Sequence, residues 1–207
     1  MHDKLKLIHA YMSSRTNYLM KHLGESSCKA SLAELRRGVG RKPGELPAIW
    51  GEFLNGIPEE LCGKDDEPSR AEWAVYVALT MLALHQQGHA TPMHKEKIPL
   101  GEAASMLVSA EDDIEKVLKR LTQASQPDDI ETFAHHLRNL IYFFRQSGIS
   151  LDYIQLAEEL YLFQNPNNAN SIRLKWARDF FKASNTKFNK STIEKENNNH
   201  ENGTSIP

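Results

Sequence analysis

Apolar residues recur at intervals of three and four along almost the whole chain, and this spacing constrains the fold more than any other feature. Such a spacing places apolar side chains on one face of an α-helix. Alternating runs of β-branched residues, which would indicate strands, are nearly absent. We therefore predict an all-α protein, a two-lobed helical bundle of about eight or nine helices with a disordered C-terminal tail.

The residues that interrupt the apolar pattern give the approximate bounds of the helices. We expect helices near residues 3–23, 31–37, 47–54, 70–87, 100–108, 110–124, 128–146, 152–163 and 169–183. The helix at 70–87 is apolar on nearly every side, which is typical of a central, buried helix, and Gly88 ends it. This order predicts an N-terminal helical lobe over 1–95, a C-terminal helical bundle over 96–184 and a disordered tail over 185–207.

The overall charge limits how this protein could contact nucleic acid. The chain has 25 Lys and Arg against 27 Asp and Glu, so a nucleic-acid surface would have to be local.

No apolar run approaches the roughly 20 residues that span a bilayer, and the N-terminus lacks the apolar core of a signal peptide. We expect a cytoplasmic protein without membrane contact. Cys28 and Cys62 are too few and too far apart for a disulfide framework or a metal knuckle, and we interpret both as ordinary thiols.

The most informative stretch for function is residues 35–50, LRRGVGRKPGELPAIW, which we call the knuckle. Ser31 is a plausible N-cap of the preceding helix, Gly38 a left-handed stop, and Pro47 the first residue of the next helix. Cations would then lie at a helix end and on a slender loop, where they could reach a phosphate backbone: Arg36, Arg37, Arg41 and Lys42. The alternative is a solvated helix end, where cations favour the negative pole of the helix dipole.

Two later helices carry cations opposite or beside their apolar faces. On 110–124 the outer face contains Lys116, Lys119 and Arg120. Along one flank of 128–146 run Arg138, Tyr142 and Arg145. Cations interleaved with an aromatic ring suit a strand of nucleic acid, because the guanidinium groups meet phosphates while the ring stacks on a base. The alternative for both helices is a solvated rim around the core.

The last helix places its cations in two settings. Lys175 and Arg178 share the outer face, whereas Arg173 falls on the apolar side between two apolar rows. An unpaired cation there would be costly. Arg173 therefore either pairs with an acid of the 152–163 helix, such as Glu158 or Glu159, or contacts a nucleic acid.

The sequence contains no recognisable catalytic motif. A P-loop, a dinucleotide fingerprint, a nucleophile elbow and a zinc pattern are all missing. His85, His89 and His94 leave a metal-dependent enzyme as a rival hypothesis, although Gly88 would break the helix between the first two. We predict that the protein is not an enzyme and uses no metal or other cofactor.

The order of these features resembles the small subunit of the type I-E CRISPR Cascade complex, the CasB family. One matching segment is LRRG at 35–38 with ELPAIW at 45–50, and a second is LG at 100–101 with VLKRL at 117–121. A third runs from LR at 137–138 through GISLDY at 148–153 to IRLKWARDFF at 172–181. Together they cover about residues 30–183.

The resemblance implies an all-helical, two-lobed subunit without catalytic activity. Its partners would be the backbone and large subunits of Cascade, a second copy of itself, the CRISPR RNA and the target DNA. Its positive surface would support the guide–target heteroduplex and the displaced strand, and so stabilise the R-loop. The family's basic positions fall on Arg36, Arg37, Lys119, Arg120, Arg138 and Arg173, and more loosely on Lys95 and Lys97.

Two departures from the family pattern leave room for another function, and one of them is the tail after about Asn185, which is not part of that pattern. Asn139 stands where relatives often carry a second arginine beside Arg138, which weakens that patch. The alternative is a helical protein-interaction adaptor, whose basic strips would meet acidic partners and make no direct contact with nucleic acid.

Overall fold

The computed structural model describes residues 2–64 and 66–201, with side chains over 3–64 and 66–187. Within these ranges the regular structure is nine α-helices and three short 3-10 helices, without a named strand, which confirms the predicted all-α class. The α-helices are α1 (His2–Lys21), α2 (Ser26–Arg37), α3 (Trp50–Phe53), α4 (Arg70–His85), α5 (Leu100–Ser105), α6 (Ile114–Ser125), α7 (Ile130–Ser147), α8 (Tyr153–Phe163) and α9 (Pro166–Glu201). None of the described helices is both long and apolar enough to cross a membrane.

Helix α4 lies at the centre of the molecule, as its apolar sequence predicts. Twelve of its sixteen residues are buried, and α1, α2, α7 and α8 pack around it. Its start is fixed by a capping box, in which the Ser69 hydroxyl accepts from the Ala71 and Glu72 amides and the Glu72 carboxylate accepts from the Ser69 amide. Gly88 follows the helix with a φ of 86°, so its role as a helix stop is confirmed.

Helices from both halves of the chain contribute to one apolar core. The core faces expected for α6 and α7 are confirmed, since Val117 and Leu121 of α6 and Phe133, Leu137 and Phe144 of α7 are buried. The division into lobes at residues 95 and 96 stays a prediction. The expected disordered tail, 185–207, falls largely outside the described side chains, and residues 202–207 lie wholly outside the description.

Helices α5 and α9 pack with their backbones in close contact at Gly101. A Cβ added to Gly101 would overlap the backbone carbonyl of Trp176 and come within 2.9 Å of the Phe180 amide nitrogen. Only glycine permits this contact, because the backbone of α9 occupies the space that a side chain would need.

Two details of the region before the knuckle differ from the expectations. Helix α2 begins at Ser26 with Glu25 as its N-cap, so Ser31 lies inside the helix and donates its hydroxyl to Glu52 at 3.1 Å. The helix starts earlier because Cys28 packs in the core and bonds the Leu19 carbonyl. Pro47 does open the next helical turn, as expected.

Gly38 is not the left-handed stop that we expected. Its φ of −76° is right-handed, and it is glycine for a different reason: a Cβ would lie 2.6 Å from Ile49 Cδ1 and 2.8 Å from the Tyr76 hydroxyl. That hydroxyl donates to the Gly38 carbonyl at 2.8 Å. The left-handed glycines of the knuckle are Gly40 and Gly44, with φ values of 81° and 88°.

Candidate nucleic-acid interface

The cationic faces of α6 and α7 come together in the fold. The two helices pack side by side, and the guanidinium carbon of Arg120 on α6 lies 4.2 Å from the centre of the Phe143 ring on α7. This cation–π contact joins the outer face of one helix to the other. Phe143 was not among the predicted site residues, because nothing in the sequence shows which ring of α7 would face Arg120.

The flank of α7 next to this contact presents an exposed tyrosine between two arginines. The Tyr142 side chain is 48% exposed, and the guanidinium of Arg145 lies 5.8 Å from its ring centre. Arg145 also donates to the Gln87 side chain at 3.0 Å. We call the seven residues of these two helices the basic strip: Lys116, Lys119, Arg120, Arg138, Tyr142, Phe143 and Arg145.

The knuckle adjoins the same flank of α7. Lys42 binds Glu131 near the start of α7 at 3.1 Å. About four turns further along this flank lies Arg145. Burial and the nearby charge of Arg145 lower the pKa of Arg36, so these two cations are close neighbours. The knuckle thus lies beside the flank of α7 that carries the basic strip.

Most knuckle cations are neutralised by carboxylates. Arg37 binds Glu34 at 2.6 Å and Arg41 binds Glu45 at 2.9 Å, in addition to the pair between Lys42 and Glu131. The hydrogen bond and charge of Glu131 raise the pKa of Lys42. A hydrogen bond from the Lys42 amide lowers the pKa of Glu45.

Arg36 is the exception among the knuckle cations. Its side chain has no carboxylate partner among the described residues, and the only hydrogen bond of that side chain there is a long one of 3.5 Å to the Ala83 carbonyl. Its side chain is partly buried between the end of α2 and the end of α4. Arg36 therefore keeps an uncompensated charge at the junction of the knuckle and the strip.

The other half of the knuckle fixes the loop in place. Ile49 is buried in the core, whereas Trp50 is 45% exposed. The Trp50 indole N–H donates to the Gly44 carbonyl at 3.2 Å. This hydrogen bond ties the loop to the start of α3.

Several predicted site residues are exposed cations without a partner in the described part of the chain. Their side chains make neither a hydrogen bond nor an ion pair there: Lys95, Lys97, Lys116, Lys119, Arg138 and Arg178. The backbone of the 93–98 loop is nevertheless held in place, because the Lys97 amide donates to Asp152 at 2.8 Å and the Lys95 amide to the Leu151 carbonyl at 3.1 Å. These cations have donors available for an external anion.

Arg173 has a structural role that the sequence left open. Its guanidinium pairs with Asp128 at 2.6 Å and stacks 5.1 Å from the Phe163 ring centre. It also donates to acceptors on α9 and at the junction of α6 and α7: Asn170 Oδ1 and the carbonyls of Ser125, Gln126 and Pro127. The acids that we considered as partners, Glu158 and Glu159, are not the ones used.

Glu159 of α8 instead anchors α9 by binding two side chains of that helix. This carboxylate is almost fully buried and accepts from Lys175 at 2.7 Å and from the Trp176 indole. Lys175 also pairs with Asp179 at 3.0 Å. Burial opposes the charge on Lys175, but these two carboxylates raise its pKa overall. Two of the three donors of the Lys175 ammonium are therefore taken by the protein itself.

Each of the three histidines of the rival metal hypothesis bonds a separate protein group. His85 bonds the Tyr153 hydroxyl at 2.9 Å, His89 lies 3.0 Å from the Arg145 carbonyl, and His94 accepts from the Tyr153 amide at 3.2 Å. Across the described residues, no group of three or more potential ligands could hold a metal ion.

A family model described as CRISPR-associated protein Cse2 (CRISPR_cse2) matches residues 31–181. The chain belongs to the Cse2 family. The matched range agrees closely with residues 30–183, over which the sequence resembles the CasB small subunit. No curated protein matches the chain.

Solved structures of CasB and Cse2 proteins share this fold. CasB from Thermobifida fusca is 29% identical, with a TM-score of 0.72 over 84% of this chain and 97% of that chain. CasB from Thermus thermophilus is 20% identical, with a TM-score of 0.62 over 83% and 98%. A chain of a CRISPR RNA-guided surveillance complex is 17% identical, with a TM-score of 0.70 over 89% and 99%.

Proposed function

We propose that this Cse2-family chain is the non-catalytic small subunit of a Cascade-type CRISPR surveillance complex. Its basic strip would contact the phosphates of the guide–target heteroduplex and of the displaced strand, and so stabilise the R-loop. The observation that carries the proposal is the row of exposed, unpaired cations on α6 and α7 around the exposed Tyr142 ring. The partners would be the backbone and large subunits, a second copy of this chain, the CRISPR RNA and the target DNA.

Modest electrostatic contacts suffice for this role. R-loop formation exchanges one duplex for another of nearly equal stability, so contacts along the backbone can tip the balance. Such contacts are insensitive to sequence and are weakened by salt. With a net charge of −2, the free protein should bind nucleic acid weakly and depend on its protein partners for recruitment.

The contacts within the chain narrow the set of residues proposed to meet phosphate. We leave Arg173 and Lys175 out, because their donors bind the α6–α7 junction and Glu159, respectively. We keep Arg36, the cations of the strip, and the exposed side chains of Lys95, Lys97 and Arg178. The paired knuckle cations Arg37, Arg41 and Lys42 would join after exchanging their carboxylate partners for phosphates.

A salt titration of binding to single-stranded DNA and to an RNA–DNA heteroduplex tests the proposal. Log affinity should fall linearly with log salt, and Lys119→Glu with Arg120→Glu should flatten the slope by roughly 0.7–0.9 per lost contact. Lys4→Glu with Lys6→Glu on α1 changes the net charge equally, on a helix that packs against α4 and α8. The control pair should leave the slope as in the wild type. Equal effects of the two pairs would reject the strip as the contact surface and favour the adaptor alternative.

A further inference from the structure

A pocket of about 300 Å³ opens between α6 and α7, beside the exposed face of Tyr142. Ala124 and Leu140 form an apolar floor. Six larger side chains form the walls and rim: Arg120, Gln123, His136, Asn139, Tyr142 and Phe143. The volume is at the lower end of the range for ligand pockets, about 300–1,000 Å³, so the pocket could hold one small planar group.

The walls of the pocket offer flat surfaces for stacking. Arg120 lies over the Phe143 ring, and its side chain is partly exposed at the rim of the pocket. Tyr142 is 48% exposed at the other side. Aromatic rings and arginine planes are the surfaces on which proteins stack unpaired bases.

The rim of the pocket offers both hydrogen-bond donors and hydrogen-bond acceptors. The amides of Gln123 and Asn139 are exposed and make no hydrogen bond to other described residues. Each amide carries an acceptor oxygen and a donor nitrogen, which together match the mixed donors and acceptors on a base edge. An apolar ligand would leave these groups unused.

The charges around the pocket indicate what the planar group is attached to. Lys119 and Arg120 lie on the α6 side, and Arg138 and Arg145 lie beyond Tyr142 on the α7 side. None of the described residues that line the pocket is a carboxylate. A polyanion could therefore pass on both sides of the pocket while its planar group enters it.

We infer that the pocket between α6 and α7 binds one unpaired nucleobase of a single strand, stacked against Tyr142 and Arg120 and bonded at its edge by Gln123 and Asn139. A base within a duplex is excluded, because both of its faces are already stacked and its edge is paired. The inference rests on the proposed function and deepens it. The basic strip would bind phosphates whatever the base sequence of the nucleic acid, whereas the pocket would distinguish a single strand from a duplex.

Paired variants of two exposed tyrosines test the inference in the full-length protein. Tyr142→Ala should weaken binding of a single-stranded oligonucleotide by about 5- to 150-fold, the loss expected of one stacked base. Tyr18→Ala on α1, where the ring is 46% exposed, should leave the affinity unchanged. Tyr142→Phe should bind like the wild type, because the stacking surface is kept.

An abasic oligonucleotide of the same length separates base contacts from phosphate contacts. It should bind wild type and Tyr142→Ala equally, with the salt dependence of the wild type retained in both. A 2-aminopurine label in the normal strand should be quenched by the wild type and less by Tyr142→Ala. Ribose and deoxyribose strands are measured in parallel, and similar losses on both are expected because the base itself is the ligand.

Two outcomes would overturn the inference that the pocket binds a base without rejecting the proposed function. One is a salt-dependent affinity that Tyr142→Ala leaves unchanged, and the other is an equal loss on normal and abasic strands. If no strand binds the wild-type protein or its reconstituted complex at low salt, the proposed function itself fails.

Discussion

The guanidinium of Arg173 on α9 binds Asp128 at 2.6 Å, directly at the junction between α6 and α7. This contact connects the last helix to the segment that sets the position of α6 relative to α7. An arginine that the family resemblance associates with nucleic acid therefore supports the surface that we propose for binding, without facing the ligand itself.

Removing this arginine should destabilise the protein. We expect Arg173→Met to lower the free energy of unfolding by about 2–3 kcal/mol, because carbonyl groups at the α6–α7 junction lose a charged donor. Arg178→Met, on the same helix but without a partner in the described chain, should change stability by less than about 0.5 kcal/mol. Urea unfolding of both variants measures the difference. Similar stabilities would show that the contacts of Arg173 add little.

Gly101 should tolerate no side chain. In Gly101→Ala the new Cβ would overlap the Trp176 carbonyl, so α5 and α9 would have to separate and the free energy of unfolding should fall by about 3 kcal/mol or more. Gly51→Ala on α3 meets no atom within 4 Å and should be neutral or slightly stabilising. Thermal unfolding compares the two. An equally stable Gly101→Ala variant would contradict the close packing of these helices.

Buried His85 should make the protein sensitive to acid. Burial, with the nearby charge of His89, lowers the pKa of His85 to about 4, whereas the unfolded value is about 6.5. The unfolded state thus takes up the proton first. The stability that neutral His85 contributes is complete above pH 6.5 and declines as the pH falls toward 4, by up to about 3 kcal/mol.

The variant His85→Gln isolates this effect. Glutamine can still form a hydrogen bond with the Tyr153 hydroxyl but does not titrate. Urea unfolding at pH 7.5, 6.0 and 4.5 should therefore show a smaller loss in the variant than in the wild type. His94, whose pKa burial also lowers, should retain part of the dependence in both proteins. Parallel losses would mean that His85 does not cause the acid sensitivity.

The pair between Lys42 and Glu131 should restrain binding at the knuckle. Because phosphate would compete with this carboxylate for Lys42, Glu131→Gln should raise the affinity for single-stranded DNA a few-fold, as expected for a solvent-exposed pair. In a Lys42→Ala background the same change should have much less effect. Glu60→Gln, on an exposed 3-10 turn, serves as the control. Equal gains in affinity from the Glu131→Gln and Glu60→Gln substitutions would indicate a general charge effect.

The periodicity of the sequence predicted the helices and the inner faces of α6 and α7, because burial selects apolar residues at helical spacing. It could not predict contacts between distant segments. Lys42 meets Glu131 and Arg120 meets Phe143 only after α7 has packed against both the knuckle and α6. The partner of Arg173 was missed for the same reason, since Asp128 belongs to a turn whose position depends on three helices.

Glycines illustrate a second limit of sequence reasoning. A glycine after a helix suggests a left-handed stop, which holds for Gly88 but not for Gly38. Gly38 is required by Ile49 and Tyr76, which approach it from elsewhere in the chain. The sequence pattern is the same in both cases, and only the packing separates them.

The most direct test of the proposed role measures R-loop formation in the reconstituted complex. The complex would be assembled with guide RNA and each of three proteins: wild type, Lys119→Glu with Arg120→Glu, and Lys4→Glu with Lys6→Glu. All three should be incorporated equally, as judged by size-exclusion chromatography. On a supercoiled target plasmid, the strip variant should lower the R-loop yield roughly tenfold while the α1 variant matches the wild type. A strip variant that is incorporated and supports the wild-type R-loop yield would contradict the account.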